Sequence, residues 1–133
     1  MQLTGNKILI TGGATGIGSG FATRFLEEGN TVILCGRRAE KLQAFQNRYP
    51  QVLARVCDLS IEQERTALSE WLHQDHQDLN VLLNNAGIQH WMHPHEEGFM
   101  SKASEEITIN ILAPLHLTHL LRDMPALKTV LNV

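Results

Sequence analysis

Apolar positions along this chain follow two rhythms. Short unbroken runs, Ile8-Leu9-Ile10, Val32-Ile33-Leu34 and Val81-Leu82-Leu83, alternate with longer stretches where apolar residues return at helical spacing. The short runs predict strands covered on both faces, and the longer stretches predict amphipathic helices. Strands are expected over Lys7–Thr11, Thr31–Cys35, Gln51–Val56, Asn80–Leu83 and Lys128–Val133. Helices are expected over Ile17–Glu28, Ala39–Arg48, Ile61 to about His76, and from near Ala103 to about Leu121.

The punctuation agrees with this reading. Gly29 is a natural stop for the first helix and Pro50 for the second. Ser60 and Gln63 have capping-box spacing at the start of the third, whose inward stripe reads Ile61, Leu68, Trp71 and Leu72. Pro114 falls inside the fourth helix and predicts a bend, and Gln89–Phe99 is a looser segment before it. Strands alternating with helices of this length mean βαβ units and an α/β doubly wound parallel sheet.

Composition narrows the class. At 133 residues with 43% apolar content, one globular domain spanning 1–133 is expected. Formal net charge is −3, so no basic surface argues for nucleic acid or an anionic membrane. The start, Met1-Gln2-Leu3-Thr4-Gly5, has no signal-peptide pattern, and no apolar run approaches membrane-spanning length. A cytoplasmic location is the expectation. Cys35 and Cys57 lie near the ends of strands expected to be neighbours. Buried reduced thiols are the plain reading, and a disulfide is the alternative.

Thr11-Gly12-Gly13-Ala14-Thr15-Gly16-Ile17-Gly18 sits between the first strand and the first helix. Glycines there permit a tight turn and let a pyrophosphate approach the backbone, with free N–H groups at the helix start facing the anion. Without a ligand, the same turn would be only a tight strand–helix junction.

Taken together, the motifs resemble those of the short-chain dehydrogenase/reductase family. Thr11, Gly12, Gly16 and Gly18 fit its Thr-Gly-x-x-x-Gly-x-Gly pattern, and Asn84-Asn85-Ala86-Gly87 after the fourth strand matches its Asn-Asn-Ala-Gly signature. Asp58-Leu59 matches the pair that contacts adenine, and Asn110 falls where the family keeps a catalytic asparagine. Leu3-Thr4-Gly5-Asn6-Lys7 and Gly36-Arg37-Arg38 are similar to members labelled DltE-like oxidoreductases. The resemblance implies a Rossmann fold with strand order 3-2-1-4-5 and an oxidoreductase interconverting an alcohol and a carbonyl. The small-molecule substrate would carry one of those groups, and the full-length form would be a homo-oligomer. It also implies a nicotinamide cofactor at Gly12, Thr15, Gly16, Ile17, Gly18, Asp58, Leu59, Asn84, Ala86 and Gly87. On local grounds alone, Asn84 and Asn85 are also ordinary turn residues, and Asp58 an ordinary turn carboxylate.

The cofactor choice follows from Leu34-Cys35-Gly36-Arg37-Arg38. A carboxylate at the end of the second strand would select NAD(H) through the ribose hydroxyls. None is present, and two guanidiniums follow, suited to a phosphate. NADP(H) is expected, with Arg37 as first 2′-phosphate ligand and Arg38 as second; NAD(H) is the alternative.

The family's tyrosine and lysine, spaced Tyr-x-x-x-Lys, are not found. The only tyrosine, Tyr49, precedes Pro50. Of the resemblance's catalytic set only Asn110 lies in this chain, and the stop within a predicted strand reads as the N-terminal part of a longer protein. The 133 residues alone are expected to be inactive. The competing reading is a catalytically inactive nucleotide-binding or interaction module. A sugar-nucleotide epimerase is disfavoured by the glycine spacing. His90, His93 and His95 cluster beside Glu96 and Glu97 but meet no defined ligand spacing, so no metal is expected. His116 and His119, one turn apart, read as half-buried polar packing.

Overall fold

Five parallel strands in the order β3-β2-β1-β4-β5 form the sheet, as the resemblance implied. The structure is a computed structural model and describes residues 2–133. β1 is Lys7–Thr11, β2 Thr31–Gly36, β3 Leu53–Val56, β4 Val81–Asn84 and β5 Thr129–Asn132. The helices are α1 (Gly16–Glu27), α2 (Ala39–Arg48), α3 (Glu62–Asp75), α4 (Phe99–Ile107) and α5 (Ala113–Leu121).

Strand periodicity divides the core into two layers. Leu9, Ile33 and Leu82 face α3 and α5, where Leu68, Leu72, Leu117 and Leu121 meet them. Ile8, Ile10, Val32, Leu34, Val81 and Leu83 face α1 and α2 through Ala22, Leu42 and Phe45. β1 lies in register with both neighbours, Ile10 opposite Leu34 and Leu83. Chain direction diverges on the two sides of β1, so a crevice opens at the carboxyl ends of β1 and β4.

Several expectations are corrected. β3 starts at Leu53 and is an edge strand with Leu53 and Val56 exposed, because its outer side has no partner. The Ser60–Gln63 capping box does not form. Ser60 instead gives its N–H and hydroxyl to Asp58 Oδ1, at 2.9 and 2.7 Å, and the N-cap position falls to Ile61. Ile61 is therefore exposed, and Arg65 is buried in its place. The last helix starts at Phe99, after Gly98 in the left-handed region. Ahead of Pro114 the helix widens: a π-turn over Thr108–Leu112 lets the Ala113 N–H reach the Thr108 carbonyl five residues back. Pro114 has no N–H for the Asn110 carbonyl, and the wider turn accommodates that loss. Finally, His116 is half-buried as expected, but His119 is exposed. No helix among the described residues is long and apolar enough to cross a membrane.

Candidate functional site

Backbone geometry comes first. Gly12 and Gly16 take φ of 65° and 55°, the left-handed region that disfavours a side chain. A Cβ at Gly12 would come within 3.0 Å of the Ala86 backbone, so the β1 and β4 turns touch only because Gly12 lacks one. A Cβ at Gly18 would sit 2.3 Å from the Gly12 carbonyl oxygen. A Cβ at Gly16 would meet nothing, because that position opens onto a crevice. No side chain caps the start of α1, and no acid sits in its first turn. Its leading N–H groups and positive dipole end are left for an anion.

Hydrogen bonds fix the two turns against each other. Thr11 Oγ1 accepts the N–H groups of Asn85 and Ala86, both at 3.0 Å. Asn85 Nδ2 donates back to the carbonyls of Thr11 and Gly12 at 3.0 and 3.3 Å. Thr11 and Asn85 were absent from the binding set expected from sequence. The doublet Asn84-Asn85 was the available signal, and only geometry separates its members. Asn84 is buried in β4, donates to Asn132 Oδ1 on β5 at 2.9 Å, and leaves its own Oδ1 without a partner.

The crevice has a volume of about 390 Å³. Of the sequence-derived residues it gathers Gly12, Thr15, Gly16, Ile17, Arg37, Arg38, Asp58, Leu59, Ala86 and Gly87 along its walls. Gly18 lies behind the turn. Asn84 and Asn110 line a separate hollow against β5. Asn110 sits on the π-turn and grips the strand end after β4: Oδ1 accepts the Ile88 N–H at 2.8 Å, and Nδ2 donates to the Ile88 carbonyl at 2.7 Å. Ile109, one residue earlier, lines the crevice itself.

The rim is built from side chains. Arg38 donates to Thr15 Oγ1 at 3.0 Å, which draws it over the glycine turn. Arg37 approaches Glu105 of α4 at 3.5 Å, and Glu105 also meets His90 Nε2 at 2.8 Å. Both arginines are exposed. Sequence spacing gave no sign of Glu105, because sixty-odd residues separate it from Arg37 and only the fold brings them together. His93 and His95 are exposed, and Glu96, beside them, has its carboxyl held below the usual range by hydrogen bonding from Lys102.

Two thiols lie beneath. Cys35 and Cys57 are both free and buried. Burial, then the Glu64 and Asp58 carboxylates, push the Cys57 thiol up to about 12, and burial raises Cys35 further. Neither is a nucleophile near neutral pH.

Comparison with known proteins places this geometry in context. A family model described as short chain dehydrogenase matches residues 6–129. The Bacillus subtilis (strain 168) protein named Uncharacterized oxidoreductase DltE is 42% identical over 123 residues, which cover 90% of this chain and 48% of that protein. Among solved structures, a metagenomic short-chain oxidoreductase in complex with NADP superposes with a TM-score of 0.86 at 27% identity, covering 98% of this chain and 61% of that one. A Pseudomonas aeruginosa RhlG/NADP active-site complex gives 0.83 at 27% identity, covering 98% and 55%. The chain spans about half the length of the curated relatives it matches.

Proposed function

The chain belongs to the short-chain dehydrogenase family, and from that premise we propose that residues 1–133 form the nucleotide-binding domain of an NADP(H)-dependent oxidoreductase. Its reaction is the interconversion of a small-molecule alcohol and the matching carbonyl. The observation that carries the cofactor choice is the pair Arg37 and Arg38 on the rim of the crevice, beyond a β2 end that bears no carboxylate. NADP in the two solved relatives supports the same choice.

The residues present fit the cofactor. Gly12 lets the β1 and β4 turns close against each other, Gly16 leaves its backbone open to the crevice, and the uncapped start of α1 suits a pyrophosphate. Thr15, Ile17, Ala86 and Gly87 wall the same space, with Asp58 and Leu59 on the adenine side. Gly18 and Asn84 act from behind, through close packing at the turn and the β4–β5 contact. When bound, the cofactor supplies or accepts a hydride. Arg37 and Arg38 hold the 2′-phosphate by charged hydrogen bonds. Asn110 positions the strand end at Ile88 through both atoms of its amide. An amide cannot release a proton to an alkoxide, so Asn110 is not the acid and a separate proton donor is required. The protein would work in the cytoplasm as a homo-oligomer, without nucleic acid or membrane.

The test is turnover. The intact protein, assayed with aldehydes, ketones and alcohols, oxidises NADPH or reduces NADP⁺ faster than the NAD(H) pair at equal concentration. The isolated 133 residues bind NADPH without turnover. Turnover by the short chain would mean that the acid has been misplaced. Absence of turnover and of nucleotide binding in the intact protein would favour an interaction module.

A further inference from the structure

Arg65 is 2% exposed, and no ion pair among the described residues includes it. Its Nε donates to Nδ1 of His116 on α5 at 2.9 Å, and Nη1 donates to the carbonyl of Leu59. The preceding residue, Glu64, accepts the N–H of Asp58. Consecutive residues of a helix point about 100° apart. Glu64 and Arg65 therefore reach the Asp58–Leu59 dipeptide from two sides, one taking its first N–H and the other its last carbonyl. Asp58 Oδ1 is occupied by Ser60, so the turn is fixed at three points. That dipeptide is the wall of the crevice opposite the glycine turn.

A buried cation without a carboxylate is poor material for stability. Desolvation costs several kcal/mol, and apolar replacement of buried charged groups is commonly neutral or stabilising. What the arrangement does supply is geometry. A guanidinium has a rigid fork of donors, and here two of them are aimed at fixed acceptors on two elements. His116 accepts through Nδ1, so that nitrogen carries no proton and the ring is the Nε2–H tautomer. The ring buttresses Arg65 from the long helix, whose π-turn also carries Ile109 into the crevice and Asn110 onto Ile88.

We infer that Arg65, braced by His116, is a positioning residue for nucleotide recognition: it holds the Asp58–Leu59 wall in its binding geometry without touching the ligand. The inference rests on the crevice's being a nucleotide site. It does not rest on the choice between NADP(H) and NAD(H), because Arg65 holds the main chain of the Asp58–Leu59 wall, whereas that choice is read by Arg37 and Arg38 on the rim.

ADP-ribose is the probe, since it carries adenine, ribose and pyrophosphate but no 2′-phosphate and no nicotinamide. Calorimetric titration of the intact wild-type protein, the double variant Arg65→Met/His116→Leu and the single variants His116→Asn and His116→Leu separates the roles. In the double variant an apolar pair fills the site, and melting holds at or above wild type while the Kd for ADP-ribose rises about tenfold. His116→Asn keeps an acceptor oxygen near the place of Nδ1 and binds within twofold of wild type, whereas His116→Leu binds about fivefold more weakly. Wild-type affinity in the double variant, or equal affinity in the Asn and Leu variants, overturns the positioning role. Failure of the wild type itself to bind both ADP-ribose and its 2′-phosphorylated form overturns the nucleotide reading, a different result from either.

Discussion

The two ends of the crevice are built from different materials. At the glycine turn the working surface is main chain, locked by reciprocal hydrogen bonds among Thr11, Asn85 and Ala86 and packed too closely for a Cβ at Gly12 or Gly18. At the rim it is exposed side chain: Arg37 at 3.5 Å from Glu105, Arg38 leaning on Thr15. In the proposed nucleotide site the first end would take any pyrophosphate and fail wholly when disturbed. The second would discriminate between ligands and could be altered without harm to the fold. A site divided in this way keeps binding and selectivity on separate residues.

Substitutions at each end should break or sharpen this division. Gly18→Val has the largest expected effect. Its Cβ would start 2.3 Å from a backbone oxygen, so the turn itself must move. Overpacking of this kind costs about 3 kcal/mol. Thermal unfolding should register that loss, and titration should find neither NADPH nor NADH bound. A variant that melts as wild type and binds would end the claim that the turn is main-chain machinery.

Thr11→Val comes next. The swap keeps volume but strips the acceptor from two N–H groups in the β1–β4 junction. Urea denaturation should show a loss of about 1 kcal/mol, the cost of leaving two half-buried donors without their acceptor. Both cofactors should weaken together. A selective effect on one of them would blur the boundary between the two ends.

Arg37→Ala should do the reverse. Stability stays unchanged, because the contact with Glu105 is exposed and worth little. NADPH affinity falls about tenfold, or about 1.5 kcal/mol for one charged hydrogen bond to phosphate, and NADH affinity does not. Equal weakening of both would reject Arg37 as the 2′-phosphate ligand.

The smallest effect belongs to the amino-terminal end of the strands, which serves as a control. Hydrogen bonding from Lys7 Nζ, at 2.7 Å, holds the Asp78 carboxyl below its usual range. A depressed carboxyl stabilises the fold above its unfolded pKa and loses that contribution as pH falls through the folded one. Asp78 is mostly exposed, so screening leaves about 0.3 kcal/mol. Denaturation of Asp78→Asn at pH 7 and at pH 3 should show this small deficit at pH 7 and a smaller one at pH 3, with cofactor binding intact at pH 7.

The same division explains what could be read from sequence. The strands covered on both faces and the glycine turn were legible because each rests on local pattern, apolar runs of fixed period and residues whose backbone freedom is unusual, whereas strand order came only with the family resemblance. Thr11 and Asn85 were visible in motifs, but their mutual bonds depend on the β1–β4 approach. Glu105 beside Arg37, and Arg65 against His116, were not legible at all. Each joins residues far apart in the chain, and a charged position at helical spacing reads as solvated surface. The capping box failed for a local reason: Asp58 Oδ1 draws the Ser60 N–H and hydroxyl back toward the preceding turn, so the hydroxyl oxygen is turned away from the N–H donors of the helix start. The π-turn was hidden because proline in a helix permits a bend or a widened turn, and the sequence does not choose between them.

The paired thiols give the fold an internal clock. Cys35 is sealed in β2, and Cys57 lies just past the end of the edge strand β3, under the crevice. With both thiols held protonated, an alkylating reagent can act only during excursions that bring them to water, so its rate reports the frequency of opening. Cys57 times the fraying of the β3 border and slows when a nucleotide covers the crevice. Cys35 times rupture of the sheet itself. The ratio of the two rates measures how far the border of this domain moves independently of its centre.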